Sequence, residues 1–471
     1  MGDTSFSKPS QGGTPRRGGD GTHRPGFTGR YIVAFESDVM DQARSILKDR
    51  AGLSTLSARD VQGAPIGNEN VVLEEIGVAV LSAAPEQHQA LLTAAADSSV
   101  PVKIVEEERM VFAIPATSVY GDGHGLPARF SSVPPSFTQA PGVPAPSPAS
   151  GSISLEFLRG YATAVENLML SAGGSAPNLI APRDAAPAAV SDAATWGLLA
   201  TNVPSSRYSG KGIKVAVLDT GFDLHHPDFA GRTVVARSFI TGEAVQDGNG
   251  HGTHCIGVSC GPQTAPNSPR YGIAYGADIY VGKVLSNAGS GADGGILSGI
   301  NWAVQQGCRI VSMSLGSAVA AGQTYSRVYQ SAATNALQKG TLIIAAAGNE
   351  SQRPGVIAPV GHPANCPSIV AVGAVDSSLA VAWFSCGGVN ADGGEVDVAG
   401  PGVDVYSSYP MPQRYKVESG TSMATPHMAG IAALYAEATG LRGLELANHV
   451  LEQSRRLFPT RDFGWGVVQA G

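Results

Sequence analysis

Three glycine-punctuated motifs carry the side-chain types of nucleophilic catalysis. Val217-Leu218-Asp219-Thr220-Gly221 places a carboxylate at the end of an apolar run. His251-Gly252-Thr253-His254 follows the polar stretch Asp247–Gly250 and opens a helical pattern with an imidazole. Gly420-Thr421-Ser422-Met423-Ala424-Thr425-Pro426 opens another helix with a hydroxyl. A serine hydroxyl is a poor nucleophile at neutral pH. A neutral imidazole within hydrogen-bond reach removes its proton, and a buried carboxylate fixes the imidazole tautomer and stabilises its charged form. A serine at a helix start also sits beside backbone N–H groups that lack intrahelical partners, which helps an oxyanion. Each motif alone is weak, and Ser422 alone reads as an N-cap. Together, in the order Asp, His, Ser, they read as acyl transfer.

Residues so far apart in the chain need a rigid frame. From Ser191 onward, apolar runs alternate with helical patterns: 213–218, 279–284, 310–313, 341–347 and 369–375, with helices over 296–306 and 325–337. Continuous apolar strands alternating with helices predict a mostly parallel sheet covered on both faces, a three-layer α/β/α unit over 191–471. Residues 29–115 read as a small α+β unit in the order β-α-β-α-β. Its strands are 30–35, 77–81 and 102–114, the last around the acidic Glu106–Glu108, and its helices are 41–50 and 85–97. Residues 1–28 predict a disordered tail. Residues 116–190 predict a Pro/Ala/Gly-rich linker interrupted by an amphipathic helix over 153–172, where Leu155, Leu158, Ala162, Val165 and Met169 recur at helical spacing.

Composition bounds the rest. Across 471 residues the hydrophobic share is 43%, enough for a sizeable core, and charged residues are 15%. The 60 glycines show no Gly-X-Y period, which excludes collagen. A net charge of −7 argues against a general polyanion binder, so no nucleic-acid partner is expected. No apolar run approaches a membrane span. Five cysteines without CxxC spacing argue against a disulfide framework or zinc cluster. The absence of a signal-like N-terminus leans towards the cytoplasm, with secretion as the alternative.

With these motifs in view, the sequence over about 191–471 resembles the subtilisin-like serine proteases (subtilases), in the branch that includes the bacterial subtilisins and proteinase K. Thr195-Trp196-Gly197 with Gly210-Lys211-Gly212 is similar to the family's entry into the catalytic domain, and Phe463-Gly464-Trp465-Gly466 to its closing motif. The resemblance implies a serine endopeptidase made as a self-processing zymogen, with Asp219 as orienting carboxylate, His251 as general base and Ser422 as nucleophile. It implies Asn349, in Ala345-Ala346-Ala347-Gly348-Asn349, as side-chain donor of the oxyanion hole. It implies that Gly289-Ser290-Gly291 and Ser314-Leu315-Gly316 bind substrate backbone between them. Residues 29–115 resemble the family's inhibitory propeptide, a ferredoxin-like domain that caps the active site, so the chain's own propeptide is an expected intramolecular partner beside peptide or protein substrates.

Further residues gain meaning from the same resemblance. Gly361 is expected at the floor of the pocket for the residue before the scissile bond, with Glu350 at its rim. This suits a large apolar or aromatic side chain, with Lys or Arg tolerated. Tyr120 and Phe130 are candidate self-cleavage residues. Cys255, one helical turn after His251, resembles the cysteine beneath the catalytic histidine of thiol-sensitive members. Asp228 matches a position that ligates structural calcium in relatives, although the second loop of that site is not recognisable in 260–272. No cofactor is expected for catalysis. His254, His225, His226 and His427 read as structural. The competing readings are a specialised precursor-maturation protease or peptide ligase, and a non-catalytic pseudo-protease that uses its cleft for binding.

Overall fold

The computed structural model describes residues 26–36, 39–60, 69–114 and 194–471. The expected tail, the linker with its 153–172 helix, Tyr120 and Phe130 lie outside the described residues, apart from the tail's last three positions.

The first unit runs β1 (Phe27–Phe35), α1 (Met40–Ala51), β2 (Leu56–Ser57), β3 (Val71–Leu73), β4 (Val78–Leu81), α2 (Pro85–Ala96) and β5 (Val102–Ala113). Its sheet order is β5-β1-β4-β3-β2, with β1 antiparallel to both β4 and β5. The two-residue periodicity of its strands explains its position. Val33, Phe35, Val72, Ala79 and Leu81 face α1 and α2 and form a private core with Leu47 and Leu91. The alternate residues Ile32, Ala34, Val71, Leu73, Val78 and Val80 face the other way, into a core shared with the second unit. Two helices on one face of a sheet were expected. The short strands β2 and β3 were not, because two or three residues carry no readable period.

The second unit contains a seven-stranded, all-parallel sheet in the order β14-β13-β12-β10-β6-β8-β7. Its strands are β6 (Lys214–Asp219), β7 (Val234–Ser238), β8 (Asp278–Lys283), β10 (Ile310–Met313), β12 (Leu342–Ala346), β13 (Val370–Val375) and β14 (Val398–Pro401). The helices are α3 (Trp196–Ala200), α4 (His251–Cys260), α5 (Asp293–Gln305), α6 (Arg327–Gln338), α7 (Thr421–Thr439), α8 (Gly443–Glu452) and α9 (Thr460–Phe463). Val215, Val217, Ile279, Val281 and Ile344 pack with α4 and α7 on one face. Ala216, Leu218, Val311 and Ile343 pack with α5 and α6 on the other. This is the expected three-layer α/β/α arrangement. The sequence reading missed edge strands β7 and β14. The first is half-exposed, and the second, Val-Ala-Gly-Pro, carries turn-like residues that only an edge tolerates. It also missed the hairpin β15 (Val405–Ser408) and β16 (Tyr415–Glu418). No helix among the described residues is long and apolar enough to cross a membrane.

The two units join through α5 and α6. Their sheet-free ends present backbone N–H groups without helical partners. Glu106 and Glu108, two apart and therefore on one face of β5, supply the acceptors. Glu108 accepts from Gly294 N at 2.8 Å, and Glu106 accepts from Arg327 N at 2.8 Å and from the Ser326 hydroxyl at 2.5 Å. Gly294 has no alternative, since a Cβ there would lie 2.4 Å from Glu108 Oε1. Glu108 is 1% exposed and also accepts from the Thr28 hydroxyl. Replacing Glu108 with Ala leaves these donors buried without an acceptor. The expected loss is about 1–3 kcal/mol, read as a lowered Tm. Gln89→Ala, on the exposed side of α2, is expected to change stability by less than about 0.5 kcal/mol.

Candidate active site

Asp219 is the last residue of β6, His251 the first of α4, and Ser422 the second of α7. A parallel sheet delivers strand ends and helix starts to one edge, which is how three distant residues meet. His251 Nδ1 lies 2.8 Å from Asp219 Oδ1, with side-chain exposures of 6% and 1%. Burial alone would lower the His251 pKa. The Asp219 carboxylate, with Cys255 behind it, outweighs this and holds the imidazole well above its ordinary range.

The turn that carries His251 is built by Asp247. Its carboxylate accepts from Asn249 N (3.0 Å), Gly250 N (2.8 Å), Thr253 N (2.9 Å) and the hydroxyls of Thr253 (2.7 Å) and Thr220 (2.9 Å). Gly250 caps α4 at φ 108°, and a Cβ there would strike the Tyr409 ring. The fully buried Lys283 holds the other side, donating to Thr220 O at 2.5 Å and Asn287 Oδ1 at 2.8 Å beside Glu243. Sequence reasoning noted the Asp247 loop only as polar and passed over Lys283. An acid four residues before the histidine was the available signal.

Ser422 is fully buried. Its Oγ lies 3.1 Å from Ile114 O and 3.2 Å from Ser314 O, while His251 Nε2 is buried without a hydrogen-bond partner. Asn349 has its amide oxygen fixed by Thr421 N and Oγ1, both at 2.9 Å. Its Nδ2 therefore faces Gly420, where a Cβ would approach to 2.9 Å. Beneath the pair, Cys255 Sγ is 4.0 Å from His251 Nδ1 and 3.6 Å from Ser422 O. Burial pushes its pKa up to about 11, so it is a thiol and a poor nucleophile at neutral pH.

β5 runs into this site between β9 (Ser290–Ala292) and β11 (Leu315–Gly316), antiparallel to both. Met110, Val111 and Phe112 pair with Ala292, Gly291 and Ser290. Phe112 and Ala113 pair with Gly316 and Leu315, and Ala113 N donates to Gly289 O at 2.8 Å. Side chains alternate accordingly. Val111 is 0% exposed and Phe112 49%. Ile114 is buried, and a Cβ on Gly316 would touch its Cδ1 at 3.5 Å. The residue whose carbonyl meets Ser422 is therefore Ile114, a position the sequence reading did not single out. Gly361 N–H donates to Ala347 O at 2.9 Å, and a Cβ there would lie 2.8 Å from Ser317 O. Glu350 accepts from Cys386 Sγ at 3.1 Å. The arrangement can hold an extended peptide by its main chain, present one carbonyl to a hydroxyl, and move a proton through an imidazole.

Three further histidines are tied to backbone carbonyls. His254 Nε2 meets Val405 O at 3.0 Å, and His226 Nε2 meets Arg414 O at 2.9 Å. His427 Nδ1 meets Met423 O at 2.8 Å, and burial takes its pKa down to about 4. All five cysteines are free and buried.

A profile of the subtilase family matches residues 210–466. Subtilisin DY of Bacillus licheniformis is 37% identical over 271 residues, which is 57% of this chain and 93% of the relative. Subtilisin Savinase of Lederbergia lenta is 36% identical over 280 residues, 58% of this chain and 96% of the relative. Subtilisin E of Bacillus subtilis (strain 168) is 41% identical over 232 residues, 49% of this chain and 57% of the relative.

Asp228, the expected calcium ligand, sits among hydrogen-bond donors. Its carboxylate accepts from Arg414 at 2.8 Å, Tyr271 OH at 2.6 Å and Tyr415 OH at 2.9 Å. Burial would raise its pKa, but the guanidinium and the two hydroxyls hold it below the usual carboxylate range. Calcium is held by oxygen ligands, and here the Asp228 oxygens are engaged by these three donors. Asp228→Ala is expected to cost about 1.5–3 kcal/mol in denaturant unfolding. A difference between wild type and variant that is unchanged by EDTA assigns the cost to the donor cage, and one that vanishes in EDTA assigns it to calcium.

Proposed function

The chain belongs to the subtilase family and is a serine endopeptidase, and on that footing we propose that it hydrolyses peptide bonds through Asp219, His251 and Ser422. The observation that carries this reading is the buried 2.8 Å contact of His251 with Asp219, next to a Ser422 whose Oγ rests on a main-chain carbonyl. His251 Nε2 takes the Ser422 proton as Oγ bonds to the scissile carbonyl carbon. The oxyanion is held by Asn349 Nδ2 and the Ser422 N–H. His251 then gives the proton to the leaving amine as the C–N bond breaks, leaving an acyl-enzyme. A water, deprotonated by His251, releases the acid and restores Ser422. Removing an oxyanion donor of the Asn349 kind costs about 10²–10³-fold in kcat, a range known from subtilisin. No cofactor enters these steps.

Residues 29–115 act in this reading as an intramolecular inhibitor. β5 occupies the cleft in substrate register, tethered by the 116–190 linker to the catalytic domain 191–471. Self-processing is the step that frees the cleft. Ile114 is the seated residue, and Tyr120 and Phe130 are the candidates further along the chain.

A fluorophosphonate probe and N-terminal sequencing test the whole reading. The wild type is expected to gain a new N-terminus within 115–193 and to be labelled at Ser422, with the sequenced end naming the cleavage residue. Ser422→Ala should stay full length and unlabelled. Self-processing by Ser422→Ala, or a cut wild type that takes no label, would sink it.

The pH profile gives an independent check. His251 must be neutral to act as base, and its pKa is held above 6.5. The acid limb of kcat/KM is therefore expected above pH 6.5. Asp219→Asn removes the carboxylate that raises it, so the limb should move down while kcat falls about 10⁴-fold, on the scale known for this residue in subtilisin. A limb that stays in place assigns it to another group.

A further inference from the structure

A buried hydrogen bond joins the two walls of the acyl-side groove. Asp293 is the first residue of α5 and directly follows β9. His362 directly follows Gly361, and its backbone exchanges hydrogen bonds of 2.8 and 2.9 Å with Ser317, the residue after β11. His362 Nε2 lies 2.9 Å from Asp293 Oδ1, with side-chain exposures of 0% and 1%. The contact therefore reaches from the β11 wall to the β9 wall. Tyr329 steadies it from α6. Its ring packs edge-on against the imidazole with centroids 4.6 Å apart, and its hydroxyl donates to Asp293 O at 3.3 Å.

The second carboxylate oxygen of Asp293 is turned to the strand in the groove. Oδ2 accepts the main-chain N–H of Arg109 at 2.9 Å. Counting back from Ile114 at the nucleophile, Arg109 is the sixth residue. The β5–β9 ladder ends at Met110 and Ala292, because the chain after Ala292 turns into α5. Its backbone carbonyls then point along a helix and cannot continue the ladder. The Asp293 side chain supplies the missing acceptor, and the start of α5 is a favourable place for its charge.

We propose that Asp293 is a specificity-determining residue, taking the main-chain N–H of the sixth substrate residue upstream of the scissile bond, with His362 as its positioning residue. The contact reads main chain and not side chain. It selects peptides long and extended enough to reach α5, whatever their sequence at that position. This rests on the reading of β5 as a strand in substrate register.

The test uses the protein made as the full-length chain and allowed to self-process, with three peptide substrates. One is a parent with four residues on the acyl side. The other two carry six residues, are N-acetylated, and differ only by N-methylation at the sixth. In the wild type, N-methylation is expected to lower kcat/KM about tenfold, mainly through KM, the scale of a hydrogen bond to a charged group. In Asp293→Ala the two long peptides should be cleaved alike. Asp293→Asn, which keeps an acceptor oxygen, should recover most of the discrimination. Because each comparison is made within one protein, partial misfolding of a variant cancels. Equal cleavage of the two long peptides by a wild type that turns over the parent overturns the Asp293 assignment and leaves the triad reading standing. A tenfold ratio that survives in Asp293→Ala overturns it too. A protein that neither cleaves the parent nor labels at Ser422 overturns both.

Discussion

Two very short strands, β9 and β11, face each other across a gap, and neither can complete its hydrogen bonding alone. Backbone N–H and C=O groups left dry and unpaired are costly, so the gap demands an extended chain running antiparallel to both. β5 meets that demand. Once it lies there, its other features follow from strand geometry. Residues two apart share a face, so Val111 is buried while Phe112 faces solvent. Glu106 and Glu108, upstream on β5, reach the starts of α6 and α5, and the first strand-end carbonyl past the ladder, that of Ile114, arrives at Ser422. The catalytic edge of the sheet thus has its geometry set by main-chain pairing before any side-chain recognition.

The reacting end is held differently. Asp219 and His251 are buried, and a buried pair survives only when its remaining polar atoms and its backbone are well supported. Asp247 and Lys283 provide that support without entering the cleft. One collects the N–H groups of the turn before His251, and the other pins the carbonyl of Thr220 beside Asp219. Asp247 satisfies three backbone N–H groups at once, and Lys283 ties one backbone carbonyl to two side chains.

Much of this was legible in the sequence. The β6, β8, β10, β12 and β13 strands are largely apolar, and burial on both faces produces that texture. Asp219, His251, Ser422 and Asn349 stand in motifs whose neighbouring glycines and threonines admit little else. What stayed hidden depends on partners remote in sequence. The acidic stretch Glu106–Glu108 was visible, but the helix starts it serves lie 186 and 221 residues further on. Asp293 and His362 are separated by 69 residues and belong to no common motif. Asp228 carried the family's calcium pattern, and only the fold brings Arg414 and Tyr415 against it. Short edge strands were lost for a simpler reason, since they bury too little to impose a period.

The division of β1 between two cores has a further meaning. Val33 and Phe35 pack in the private core of their own unit, but Ile32 and Ala34 pack in the core shared with the second unit. A residue 26–114 unit folded in isolation would present an apolar sheet face to water. The second unit, lacking it, would leave the outer sides of two helices bare. Each is therefore an incomplete solute, and the heat capacity of unfolding belongs to the pair, because the apolar surface behind it is hydrated only when the pair comes apart. The order in which the ribosome delivers them then matters. The apolar face of the early unit stays uncovered until the helices that flank the cleft have been made.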